Sequence, residues 1–148
     1  MICLSKLVIS NQEFFETVIE DLKKGDKVSF LVKGNSMKPF LLDGLTEVFL
    51  MKKDNYLVGD ICLFGYRNQF ILHRLIKQHK SHYIFRGDNS SFSETVHEED
   101  IYAYVYQYKT DEELVSTASP NYLKKVRKHL VKRRTYLFLR RLIRGNKR

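Results

Sequence analysis

The sequence predicts a mainly β domain, an antiparallel sheet preceded by one helix and followed by a basic amphipathic helix. Three observations predict it. The hydrophobic period changes from helical to two after Asp26, and the breaks between the later apolar runs carry turn residues with no room for a crossover helix. The third is a charge boundary: residues 1–119 hold 14 Lys and Arg against 17 Asp and Glu, whereas residues 120–148 hold 12 and none. A mildly acidic body with a strongly basic end suits a folded domain plus an attachment segment better than one uniformly basic nucleic-acid binder, although the net charge is +9.

The elements follow in order. Over residues 11–24, Phe14 or Phe15, Val18, Ile19 and Leu22 share one helical face, with Asn11 as N-cap and Gly25 as the stop. Val28, Phe30 and Val32 then alternate before Gly34. Short β-like runs cover 46–51, 60–66, 69–77, 82–86 and 101–108, separated by Asp-Gly, Gly-Asp and Asp-Asn turns. The small and polar segment 111–121, ending near Pro120, reads as a linker. Beyond it Leu123, Val126, Leu130, Leu137, Leu142 and Ile143 stand among arginines and lysines, the composition of a basic amphipathic helix. The division is therefore a domain at 1–119, its motif-bearing part at 28–106, and a helical tail at 120–148.

Several classes are excluded. With 148 residues and 43 % hydrophobic content the chain supports one core. No run approaches the roughly 20 apolar residues that cross a bilayer, and MICLSKLVIS has neither the basic leader nor the apolar length of a signal peptide. Cys3 and Cys62 make neither a disulfide framework nor a closed metal site, so the cytoplasm is the expected compartment. His79, His82 and His97 lack metal-ligand spacing, and neither metal nor cofactor is expected.

Chemistry concentrates in four stretches. Gly34-Asn35-Ser36-Met37-Lys38-Pro39 follows an alternating strand and holds a serine on a sharp turn. Gly59-Asp60 enters the strand that carries Cys62, where Asp60 reads as structural and Cys62 as a small core residue. Ile71-Leu72-His73-Arg74-Leu75-Ile76 sets one histidine beside one arginine in an otherwise apolar strand. Arg86-Gly87-Asp88-Asn89 is a tight turn with a carboxylate, followed at a short distance by Glu94. A serine hydroxyl needs a base to act as a nucleophile near neutral pH, and a histidine with an ordinary pKa of about 6.5 can be that base when a carboxylate orients it.

In this order the four stretches resemble the serine peptidases that include the type I signal peptidases and the LexA-like self-cleaving repressors. Ser36-Met37-Lys38-Pro39 is similar to the family's Ser-Met-x-Pro box, Gly59-Asp60 to its turn before a core strand, and Arg86-Gly87-Asp88-Asn89 to its Gly-Asp-Asn box. His73-Arg74-Leu75-Ile76 resembles the histidine-base type of the endoplasmic-reticulum and archaeal signal peptidases, without their membrane anchor. That type carries two adjacent aspartates after Gly-Asp-Asn, where this chain has Ser93-Glu94. The resemblance implies a LexA-like and signal-peptidase-like β fold. It also implies hydrolysis of a leader, signal or precursor peptide by Ser36 and His73, with Asp88 or, as the alternative acid, Glu94 completing the triad.

The oxyanion donors are then the Ser36 N–H with Asn35 or Gly34. Met37 plugs into the core beside the site, and Met37 and Pro39 are the residues set nearest to substrate. A non-catalytic peptide-binding or maturation module of the same fold is the alternative reading, and a self-cleaving regulator is a third. For the tail at 120–148 three uses stand: attachment to an anionic membrane surface at the inner face of the cell membrane, packing on the body or on an acidic protein, and, less favoured, nucleic-acid binding.

Overall fold

The computed structural model describes residues 11–145. Cys3 and the opening MICLSKLVIS lie outside the described residues, as does the Asn11 side chain to which the helix cap was assigned. Helix α1 (Asn11–Lys23) ends where Gly25 N–H bonds Leu22 O at 3.0 Å and Asp26 N–H bonds Asp21 O at 3.0 Å. Strands β1 (Val28–Leu31), β2 (Glu47–Met51), β3 (Ile61–Tyr66), β4 (Gln69–Gln78), β5 (Tyr83–Arg86), β6 (Ser93–Val96), β7 (Ile101–Lys109) and β8 (Leu114–Ser116) follow, and α2 (Pro120–Gly145) comes last. Every strand pair is antiparallel, in the order β1-β2-β7-β3-β4-β5-β6 with β8 beside β7. The fold is mainly antiparallel β with a helix before and after, as the sequence predicts.

Period-two alternation divides the apolar side chains between the two faces of the sheet. Ile61 and Leu63 on β3, Val48 and Leu50 on β2, and Ala103 and Val105 on β7 face α1 and α2, packing with Val18, Leu22, Met37, Leu41, Tyr122 and Val126. Their chain neighbours Cys62 and Phe64, with Leu75, Phe85, Val96 and Ile101, form a second cluster on the other face. The Phe64 and Phe85 rings lie 4.4 Å apart there.

Three expectations are corrected. The linker at 111–121 contains β8, whose Val115 pairs with Tyr108 of β7, and the turn before it closes through Thr110 N–H to Glu113 O at 2.9 Å. Strand β6 falls where no strand was predicted, because its alternation places the polar Glu94 on the buried side with Val96. The boundary at residue 120 is one of charge and not of packing. Ser119 caps α2, accepting from Tyr122 N–H at 3.3 Å, Pro120 occupies the first turn, and Tyr122 and Val126 complete the core. Of the apolar stripe expected on this helix, Val126 is buried and Leu130 packs on the core, while Leu123, Leu142 and Ile143 remain exposed.

Candidate active site

Strand β4 sets the site because its consecutive residues point to opposite faces. His73 stands opposite Cys62 and faces the second cluster, its ring against Phe64 at 6.3 Å between centroids. Glu94 reaches the same face because β6 pairs with β5 in a register that sets Glu94 against Phe85. Its Oε2 lies 3.0 Å from His73 Nδ1, and both residues are buried. A carboxylate can only accept, so the hydrogen of this contact sits on Nδ1, which in the neutral imidazole leaves Nε2 as the acceptor.

Ser36 approaches from a turn held at several points. Gly34 adopts a φ of +92°, a region that side chains disfavour, and its N–H bonds the Asp43 carboxylate at 2.8 Å. Met37 is sunk in the core, and its carbonyl accepts from Phe40 at 3.1 Å and Leu41 at 3.0 Å. Asn89 clamps the turn from the other side, donating its N–H to Ser36 O at 2.8 Å and its side-chain amide to Asn35 O at 3.3 Å.

Gly87 is where serine and histidine meet. A Cβ on Gly87 would lie 2.6 Å from the Ser36 carbonyl oxygen, 3.0 Å from His73 Nε2 and 3.1 Å from Ser36 Cβ. Ser36 Cβ and His73 Nε2 are thus no farther apart than the last two distances combined, and only glycine leaves room for the approach. Among the described residues His73 Nε2, the Ser36 hydroxyl and the Ser36 N–H make no hydrogen bond, with each other or with any other group, so the serine and the histidine are neighbours across Gly87 with both reacting atoms free.

Asp88 does not join this group, which corrects the placement of Asp88 ahead of Glu94 as the partner of His73. Its carboxylate takes two hydrogen bonds from Arg74, Nε to Oδ1 at 2.8 Å and Nη2 to Oδ2 at 2.6 Å. Arg74 is fully buried and donates Nη1 to Gly59 O at 2.7 Å and to the Tyr122 hydroxyl oxygen at 3.0 Å, with Phe40 under its plane at 4.9 Å. Burial alone would weaken the guanidinium charge. The Asp88 hydrogen bonds and charge outweigh it and hold Arg74 protonated above its ordinary range. A buried cation required a carboxylate here, and the nearest one was consumed.

Met37 sits in the core as expected, and only its place beside substrate is corrected. At 2 % exposure it belongs to the core and cannot line a groove for substrate, whereas Pro39 and Asn35 are exposed beside Ser36. Asp60 is paired with Lys53 and accepts from Leu57 N–H at 2.8 Å, a turn role. Burial pushes the Cys62 thiol well above its ordinary pKa. His79 and His82 stack at 4.4 Å, and among the described residues no cluster of three ligands could hold a metal.

Of the three uses open to the tail, packing on the body holds for α2, and what sequence reasoning missed is its reach to the site. His129 donates Nε2 to Asp88 O at 3.2 Å, Arg133 donates to Ser90 O at 2.6 Å and Arg140 donates to Ser91 Oγ at 2.9 Å, so the helix fastens the loop that clamps Ser36. The only advance signal was a histidine inside the basic run, which reads equally well as one more polar residue. Comparison with protein-family models, curated proteins and solved structures finds no match.

Proposed function

We propose that the chain is a serine endopeptidase that cleaves a leader, signal or precursor peptide. The reading is carried by the arrangement that sets the hydrogen-bonded Glu94–His73 pair beside the Ser36 side chain across Gly87. His73 Nε2 takes the hydroxyl proton as Ser36 Oγ attacks the scissile carbonyl, and returns it to the leaving amine. Glu94 holds the tautomer and stabilises the imidazolium, and the Ser36 N–H with the exposed Asn35 beside it receives the oxyanion. Water then attacks the acyl-enzyme by the same relay, regenerating the serine.

The resemblance in the four motifs supports the same chemistry, with Glu94 in place of an aspartate. A non-catalytic module of this fold would keep the turn and the clamp without needing the relay. Ser36→Ala separates the two. With candidate precursor peptides followed by mass spectrometry, the substitution is expected to lower the cleavage rate by about 10⁶-fold and to leave peptide affinity intact. Unchanged processing by the alanine variant would overturn the peptidase reading.

A further inference from the structure

The distal half of α2 presents a surface that neither the core nor the relay uses. Val131, Phe138 and Leu142, spaced seven and four residues apart, form one line along the helix and are 62 %, 59 % and 54 % exposed. Helical geometry sets Arg134 and Arg141 along one flank of this line and Lys128 and Lys132 along the other. Residues 120–148 contain no Asp or Glu. The opposite face, through Tyr122, Val126, Arg133 and Arg140, is fastened to the body, so the line points outward.

Nearby, burial first and then the charges of Arg133 and Arg141 lower the pKa of Arg86, partly offset by the Asp88 carboxylate. Among the described residues none of the three arginines forms an ion pair, and Arg133 Nε is buried without an acceptor.

We propose that α2 lies on an anionic lipid surface, with Val131, Phe138 and Leu142 entering the acyl boundary and the flanking arginines and lysines on the lipid phosphates. Resting on the peptidase reading, the substrate class is then a peptide tethered at or emerging from a membrane, because the loop held by α2 is the one that clamps Ser36. Charge argues for this occupant over the others. A second copy would press two cationic flanks together, and a nucleic acid would use the cations while leaving the apolar line in water.

The test uses the full chain carrying Ser36→Ala, sedimented with vesicles of phosphatidylcholine alone or of an equimolar mixture with phosphatidylglycerol. Binding is expected to be at least about tenfold tighter to the anionic vesicles and to weaken in 1 M salt, where the Debye length falls to about 3 Å. Phe138→Ser with Leu142→Ser, at exposed positions, is expected to lower vesicle affinity about tenfold or more with an unchanged melting temperature. Arg134→Gln with Arg141→Gln is expected to do the same.

Equal binding to neutral vesicles, indifference to both double variants, or capture of DNA or an acidic protein without vesicle binding would overturn the proposal. In the wild-type background, a lipid-anchored peptide on anionic vesicles should be cleaved about tenfold faster than its soluble form, and the Phe138/Leu142 variant should lose only that advantage. Vesicle binding without any cleavage would break the peptidase reading and leave lipid docking standing. Cleavage without vesicle binding would do the reverse.

Discussion

Two neighbouring residues of β4 hold two carboxylates on opposite faces of one sheet, and the pairs have opposite designs. Arg74 and Asp88 have side chains 0 % and 1 % exposed, joined by two hydrogen bonds, with the two Nη1 donors on Gly59 and Tyr122. His73 and Glu94 are 10 % and 11 % exposed and joined by one contact, with Nε2 left open beside Ser36. The first pair is satisfied at nearly every valence, which a buried charge requires. The second keeps one valence unfilled, and a base must have an unfilled valence to accept a proton. On the peptidase reading, chemically similar partners thus serve packing or catalysis according to what is left over.

That contrast can be broken by exchanging the two behaviours. Glu94→Gln keeps the shape but removes the charge that orients His73, and it is expected to lower kcat/KM by about 10⁴-fold while shifting stability by no more than about 1 kcal/mol. Steady-state kinetics beside a denaturant titration measure both.

Asp88→Ala should act on the other axis. Leaving Arg74 charged and unpaired in the core is expected to cost about 3–5 kcal/mol, read by chemical denaturation. Replacing both partners, Arg74→Met with Asp88→Leu, is expected to recover most of it. A stable Asp88→Ala protein with no activity would invert the assignment of the two carboxylates.

The smallest effect concerns the tyrosines around Arg74. Burial, and after it the neighbouring Tyr122, pushes Tyr108 up to about 12, and burial also raises Tyr122 despite Arg74. The folded state therefore binds these protons more tightly than the unfolded chain, whose tyrosines titrate near an ordinary value of about 10. This stabilisation is fully present below pH 10, where both states keep their protons, and is lost as pH rises from about 10 to about 12. Denaturant midpoints should decline over that interval, and Tyr108→Phe should flatten the decline.

Much of this was legible before any tertiary structure. The change of period after Asp26 located α1 and β1, and apolar runs bounded by Asp, Asn and Gly located β2, β3, β4, β5 and β7 within about two residues, because these signals are local. The residue types of the proposed relay were equally legible: a serine on a Gly-initiated turn, a lone histidine in an apolar strand, and a carboxylate near Gly87. The charge boundary at residue 120 is a property of composition alone.

Tertiary structure decided what depends on register between distant strands. Sequence proximity to the Gly87 turn favoured Asp88, but the pairing of β5 with β6 put Glu94 on the His73 face, while Arg74 on the other face took Asp88. Strand β6 escaped notice for the same reason, since a glutamate facing inward looks like a loop residue until a histidine stands 3.0 Å away. Tyr122 and His129 looked like parts of a solvated basic tail because nothing nearby in sequence shows that a hydroxyl oxygen will meet Arg74 or a ring nitrogen the Asp88 carbonyl. Local periodicity reports which face a side chain occupies. What waits on that face is set by chain closure over tens of residues, and only the folded sheet supplies it.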